Sequence, residues 1–147
     1  MSVSLSHPKL RSLYDYWSGK IAGRPVLAVE ELEPAELRRW IGHLVVVDAT
    51  AEGAFVYSYY GATLEKAFGR SMAGQSLELL PESQRSILRD EYQAVRLDRQ
   101  PVTRTYTADF EGGTATWERL VLPLSSDGAQ VDKLLVAAYR LDESAAH

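Results

Sequence analysis

Apolar and polar positions change period several times along this chain, and the changes mark its elements. Behind Ser6 and Pro8, the residues Leu10, Leu13, Tyr14 and Trp17 recur at helical spacing, which predicts a capped helix with one apolar stripe, ended by Gly19 and Gly23-Arg24-Pro25. Val26 to Glu33 reads as extended. Glu33-Pro34 opens a second, short amphipathic helix, with Glu36 early, Arg38 and Arg39 late and Gly42 as its stop, an order that suits the helix dipole. The apolar run Leu44 to Val47 predicts a central strand, closed by Asp48 and a turn around Glu52-Gly53.

The stretch from Phe55 to Leu77 organises the rest. Phe55, Tyr57 and Tyr59 alternate with Val56, Ser58 and Tyr60, which predicts a strand with one buried side, halted by Gly61. Leu64, Ala67 and Phe68 then share one face of a small helix stopped by Gly69, and Gly74 ends the next segment. Leu77 to Leu80 reads as a short helix or turn. Pro81 opens a longer helix, Glu82 to about Leu97, with Leu88, Tyr92 and Val95 as its buried stripe and Ile87 and Glu91 flanking it.

Three strands follow. Val102, Arg104, Tyr106, Ala108 and Phe110 fall on one side of the first, and Glu111-Gly112-Gly113 turns the chain into Thr114 to Leu124. There Trp117, Arg119 and Val121 share one side while Glu118, Leu120 and Leu122 share the other. Ser125 to Gly128 turns back into Val131 to Leu141. Residues 1–25 read as a flanking helix, 26–142 as one domain and 143–147 as a frayed tail.

Composition narrows the class. A chain of 147 residues with 46% hydrophobic and 24% charged residues is the size and make-up of one globular domain. A net charge of −4 argues against a nucleic-acid groove, and the cationic set from Arg96 to Arg104, mixed with Asp98, reads as a solvated helix end and turn. No segment approaches the roughly 18 apolar residues of a membrane span, and the start has no signal-peptide core, so the expected location is the cytoplasm. The absence of cysteine removes disulfides, thiolate metal sites and a cysteine nucleophile. His43 reads as a capping or surface group, with a ligand or base role as the alternative. Asp48, Asp109 and Glu118 are spread over separate strands and read as surface carboxylates, not as a metal cluster.

The order of elements resembles a PAS domain: an α+β fold with a five-stranded antiparallel sheet, helices on one face, and here an extra N-terminal helix. The chain is also similar to a single-domain PAS family common in alphaproteobacteria. The likeness is carried by Leu13-Tyr14-Asp15-Tyr16-Trp17 with Gly23-Arg24-Pro25, by Glu31-Leu32-Glu33-Pro34 through Leu37 to Leu44-Val45-Val46-Val47-Asp48, and by Tyr59-Tyr60-Gly61 with Gly69 and Met72-Ala73-Gly74. Ala62, Ser71 and Ala73 stand where that family usually has a small hydroxyl residue, an acid and a threonine.

The resemblance implies sensing, signalling or protein interaction and no reaction. A small molecule would sit between sheet and helices, or the domain would pair through its flanking helix. Pocket-side candidates are Tyr57, Tyr59, Phe68, Tyr92, Tyr106 and Trp117, aromatic groups that can stack on or hydrogen-bond a ligand and that equally serve to fill a core. Arg70 and Arg119 are candidates to anchor a carboxylate through paired hydrogen bonds, against a plain reading of both as exposed. Haem would need an axial histidine on the long helix, and a photoreactive flavin a cysteine; both residues are missing, so neither cofactor is expected and the ligand stays unnamed. Expected partners are a regulatory protein such as a histidine kinase and a second copy through the N-terminal helix, which otherwise serves as intramolecular cover. Two rival readings are a pure dimerisation or adaptor domain without ligand, and a small cone-shaped α+β enzyme using His43, Asp109 and Tyr106 for acid/base chemistry.

Overall fold

Along the strand Gly113–Leu124, both sets of alternating side chains are apolar enough to demand burial, and the architecture follows from that. The computed structural model describes residues 4–110 and 113–141. Five strands, β1 Leu44–Ala49, β2 Phe55–Tyr60, β3 Val102–Phe110, β4 Gly113–Leu124 and β5 Lys133–Arg140, form one sheet in the order β2-β1-β5-β4-β3. All neighbours are antiparallel. Ala115, Trp117 and Val121 of β4 join one apolar cluster, and Leu120, Leu122 and Leu124 join a second on the opposite face. Many antiparallel sheets leave one face to water; this one is covered on both.

The second face is closed by α1, Pro8–Ile21, whose Leu10, Leu13, Trp17 and Ile21 pack with Leu120, Leu122, Leu135 and Ala137. Each such burial is worth about 1.5–3 kcal/mol. The Trp17 indole N–H also donates to the Pro123 carbonyl at 3.1 Å. The cap is His7, not the expected Ser6: its Nδ1 accepts from the Lys9 N–H. Ser6 lies one residue too early for a helix that starts at Pro8; its backbone N–H, at 2.8 Å, and that of His7, at 2.7 Å, both donate to the buried Glu118 carboxylate. Gly19 stays inside the helix, which ends where Ala22 turns left-handed.

The stretch expected to be extended, Val26 to Glu33, pairs only at Ala28 beside Ser125 and then curls into a 3₁₀ turn, Val29–Glu31. The second expected helix is likewise 3₁₀, Glu36–His43, and it buries Trp40 beside α1, with the indole N–H donating to Lys9 O at 3.0 Å. On the first face lie α2, Ala62–Phe68, a 3₁₀ turn at Leu77–Leu79, and α3, Glu82–Asp98. Gly61 is needed where β2 meets the 3₁₀ segment, because a Cβ there would stand 2.4 Å from the Gly42 carbonyl oxygen. On α3, Tyr92 and Val95 are buried as expected and Leu88 packs against the same cluster, but Glu91, expected on the flank, is buried with them. The turn expected at Glu111-Gly112-Gly113 and the tail 143–147 fall largely or wholly outside the described residues.

Because α1 is part of the core, Leu13→Ala should lower unfolding free energy by about 2–5 kcal/mol in urea titrations. Leu97→Ala, at a position 69% exposed, should change it by less than about 0.5 kcal/mol.

Candidate ligand cavity

Between the first sheet face and its helices lies a cavity of about 550 Å³, within the roughly 300–1,000 Å³ of small-molecule sites. Its floor is kept low by Val45 on β1 and by Val136 and Ala138 on β5, small residues on neighbouring strands, with Val45 and Val136 direct register partners. Leu64, Ala67 and Phe68 of α2 and Gln84, Leu88 and Tyr92 of α3 form the roof. Side walls come from Tyr57 and Tyr60 on β2 and from the β3–β4 pair.

Alternation along β2 holds only as far as a bulge. Val46 of β1 pairs with Tyr59 and Val47 pairs with Tyr57, so Ser58 is an extra residue and the faces exchange beyond it. Tyr60, not Tyr59, therefore shares the cavity with Tyr57. Tyr59 packs in the second cluster and its hydroxyl donates to the Ile41 carbonyl at 3.0 Å. Of the other candidates, Tyr57, Phe68, Tyr92, Tyr106, Trp117 and Arg119 all line the cavity. Arg70 does not: it is exposed just past α2.

The polar centre of the wall is an ion cluster. Arg104 on β3 and Arg119 on β4 are register partners directly opposite each other, an arrangement that repels unless a counter-charge intervenes. Glu91 of α3 supplies it, 6% exposed, accepting from Arg119 Nε at 3.1 Å and Nη2 at 2.9 Å and from Arg104 Nε. Arg119 is itself buried, contrary to the exposed reading, and its guanidinium lies 4.6 Å from the centre of the Tyr106 ring. Burial works against the Arg119 charge, but Glu91, joined by Tyr92 and Tyr106, outweighs it and holds the group above its usual range.

Around this cluster the tyrosines are neutral donors. Burial pushes the Tyr92 hydroxyl up to about 12, even with the Arg119 charge pulling the other way. Burial raises Tyr57 and Tyr60 further, each helped by a neighbouring tyrosine, and raises Tyr106 despite Arg119.

Three residues of this site were not singled out from the sequence. Arg104 carried a signal, two residues before Tyr106 on the same strand side, but was read as part of a solvated cationic turn. Glu91 did too, three after Leu88 and four before Val95, on the stripe itself. Tyr60 carried none, because the bulge is a matter of pairing. Elsewhere, Glu118 is buried at the α1 N-terminus, not on the surface, and Asp48 pairs with Lys133 at 2.8 Å. His43 stacks on Tyr139 at 3.9 Å on the sheet's second face, so it does not meet Tyr106; the side chain of Asp109 lies outside the description. No helix among the described residues is long and apolar enough to cross a membrane, and no three His, Asp or Glu side chains among them gather as a metal site.

Antiparallel order 2-1-5-4-3 with helices roofing a cavity on one face is the plan of a PAS domain. The PAS domain family model matches residues 5–138, and the chain belongs to that family. No curated protein matches it. Among solved structures it is similar to the PAS domain of BvgS from Bordetella pertussis, at 11% identity and TM-score 0.56, covering 92% of this chain and 90% of that one. It is also similar to the sensory box sensor histidine kinase from Vibrio cholerae, at 16% identity and TM-score 0.54, covering 89% and 97%. A third likeness, to the light-state LOV domain of the blue-light photoreceptor Aureochrome1, has 17% identity and TM-score 0.51 over 78% and 93%. At such identities the shared property is the fold.

Glu91→Ala should destabilise the domain by about 3–5 kcal/mol in urea titrations, because it leaves two opposed arginines, one of them buried, without a counter-ion. The tyrosines give a pH test. Their folded pKa values lie above the unfolded value of about 10, so their contribution to stability is complete below pH ~10 and is lost as pH rises from there through about 12 and beyond. Tyrosinate absorbance from these buried rings should therefore appear together with unfolding; ionisation near pH ~10 in an intact fold would contradict their burial.

Proposed function

We propose that this PAS domain is a sensory or signalling module that takes a small molecule into the cavity between the sheet and α2 and α3, with no catalytic activity of its own. The observation carrying this reading is the cavity itself: its wall combines aromatic rings, neutral phenol donors and an arginine pair, the mixture of apolar lining and few placed polar groups that ligand sites use. Output passes by contact to a regulatory protein such as a histidine kinase, in keeping with the sensor kinase among its structural likenesses. The apolar stripe of α1 is committed to the chain's own sheet, so a homodimer through the N-terminal helix would use the helix's other face. A cytoplasmic setting suits such a module.

The adaptor reading, docking without ligand, draws support from the exposed Leu79 and Ile87 beside the roof. A thermal-shift screen separates the two. A cavity ligand at a hundredfold over its Kd adds about 2.7 kcal/mol and should raise Tm by roughly 5 °C or more. Ala67→Phe, which fills the space under α2, should abolish the shift while leaving the circular dichroism spectrum native. A broad panel of neutral and charged compounds without any shift would leave docking as the function.

A further inference from the structure

The charge inside the cavity is not balanced. Among the described residues its lining holds two guanidinium groups, Arg104 and Arg119, and no carboxylate. Among the described residues the one counter-charge that pairs with them is Glu91 of α3, outside the lining, and it is shared between the two. Among the described hydrogen bonds Arg104 commits only its Nε to Glu91, and its side chain is 46% exposed. One positive charge is therefore left over at a wall otherwise built of aromatic rings and hydroxyl donors, and a guanidinium offers a planar pair of donors that matches a carboxylate. Apart from that wall and the Gln84 amide in the roof, the space is lined mainly by apolar groups, among them Leu64, Phe68, Leu80, Leu88 and Val136, with no third cationic group among the described lining residues to meet a second charge.

We propose that the cavity selects a monoanionic, otherwise apolar carboxylate, whose charged end meets Arg104 and Arg119 in competition with Glu91 while its ring or chain lies under α2. This rests on the cavity being a ligand site, and it adds the ligand's charge and the internal group it displaces. A dianion finds only one unbalanced positive charge. A neutral ligand leaves that charge unpaired.

The test uses isothermal titration of the full chain with indole-3-acetate and octanoate, each against its own uncharged amide. Charge-assisted bonds being about twice as strong as neutral ones, at least one acid should bind about tenfold or more tighter than its amide. Arg104→Gln, at a half-exposed position that leaves the Glu91–Arg119 pair in place, should bring that acid-to-amide ratio close to unity. Glu91→Gln, which keeps hydrogen-bonding capacity but removes the competing charge, should raise the ratio by about tenfold more. Amides binding as tightly as acids would overturn the proposal while leaving the cavity a ligand site. Binding of neither class would overturn it as well, and the wider thermal-shift panel then decides whether the cavity takes any ligand. A lower ratio in Glu91→Gln would overturn the competition, showing that Glu91 holds the arginines in position for the ligand.

Discussion

Two like charges directly opposite each other on neighbouring strands repel, and the fold tolerates Arg104 beside Arg119 because α3 delivers Glu91 to both. That contact fixes where the long helix can lie. Tyr92 and Val95 then fall into the core on one side of Glu91, and Leu88 and Gln84 face the cavity on the other. An ion pair with one partner 6% and the other 8% exposed adds little net stability over an apolar packing. What it supplies is registry, since sliding α3 by a turn would strand one buried acid and two bases.

The same device recurs on the opposite face of β4. Arg119 points to the cavity and needs a carboxylate; Glu118, one residue earlier, points to the second face and needs donors. It finds them in the backbone N–H groups of Ser6 and His7, which precede α1 and lack helical partners of their own. Each buried charge on this strand is thus answered by the helix on its own side, and β4 fixes both helices at once. With α1 seated, the second face holds Leu10, Leu13 and Trp17 against the sheet.

Most of the plan was legible because it depends on period. Strands β2 to β5, the two faces of β4 and the stripe on α3 are all set by spacing alone. Readings failed where spacing is not the deciding quantity. The exchange of Tyr59 for Tyr60 comes from one unpaired residue, Ser58, and a bulge depends on the partner strand, Leu44–Ala49, that alternation does not consult. Glu91 and Arg119 were set outside the core because charged residues are rarely buried singly; as a pair each is the reason the other can be inside. Val26 to Glu33 failed for another reason: only Ala28 finds a strand-like partner, so the rest curls into a local 3₁₀ turn.

These contacts also determine what the cavity can offer. A phenol held neutral to about pH 12, as Tyr92 is, sits far from the pKa near operating pH that makes a group efficient in proton transfer. The same shift makes it a dependable donor, because it never becomes an acceptor-only anion under ordinary conditions. Arg119 is likewise fixed in charge, by the Glu91 carboxylate acting against burial, and held against the Tyr106 ring. Tyr92 and Arg119 are therefore constant in protonation over the ordinary pH range, and Arg119 is restrained in position, which suits the proposed ligand site to reading shape and charge and not to moving protons.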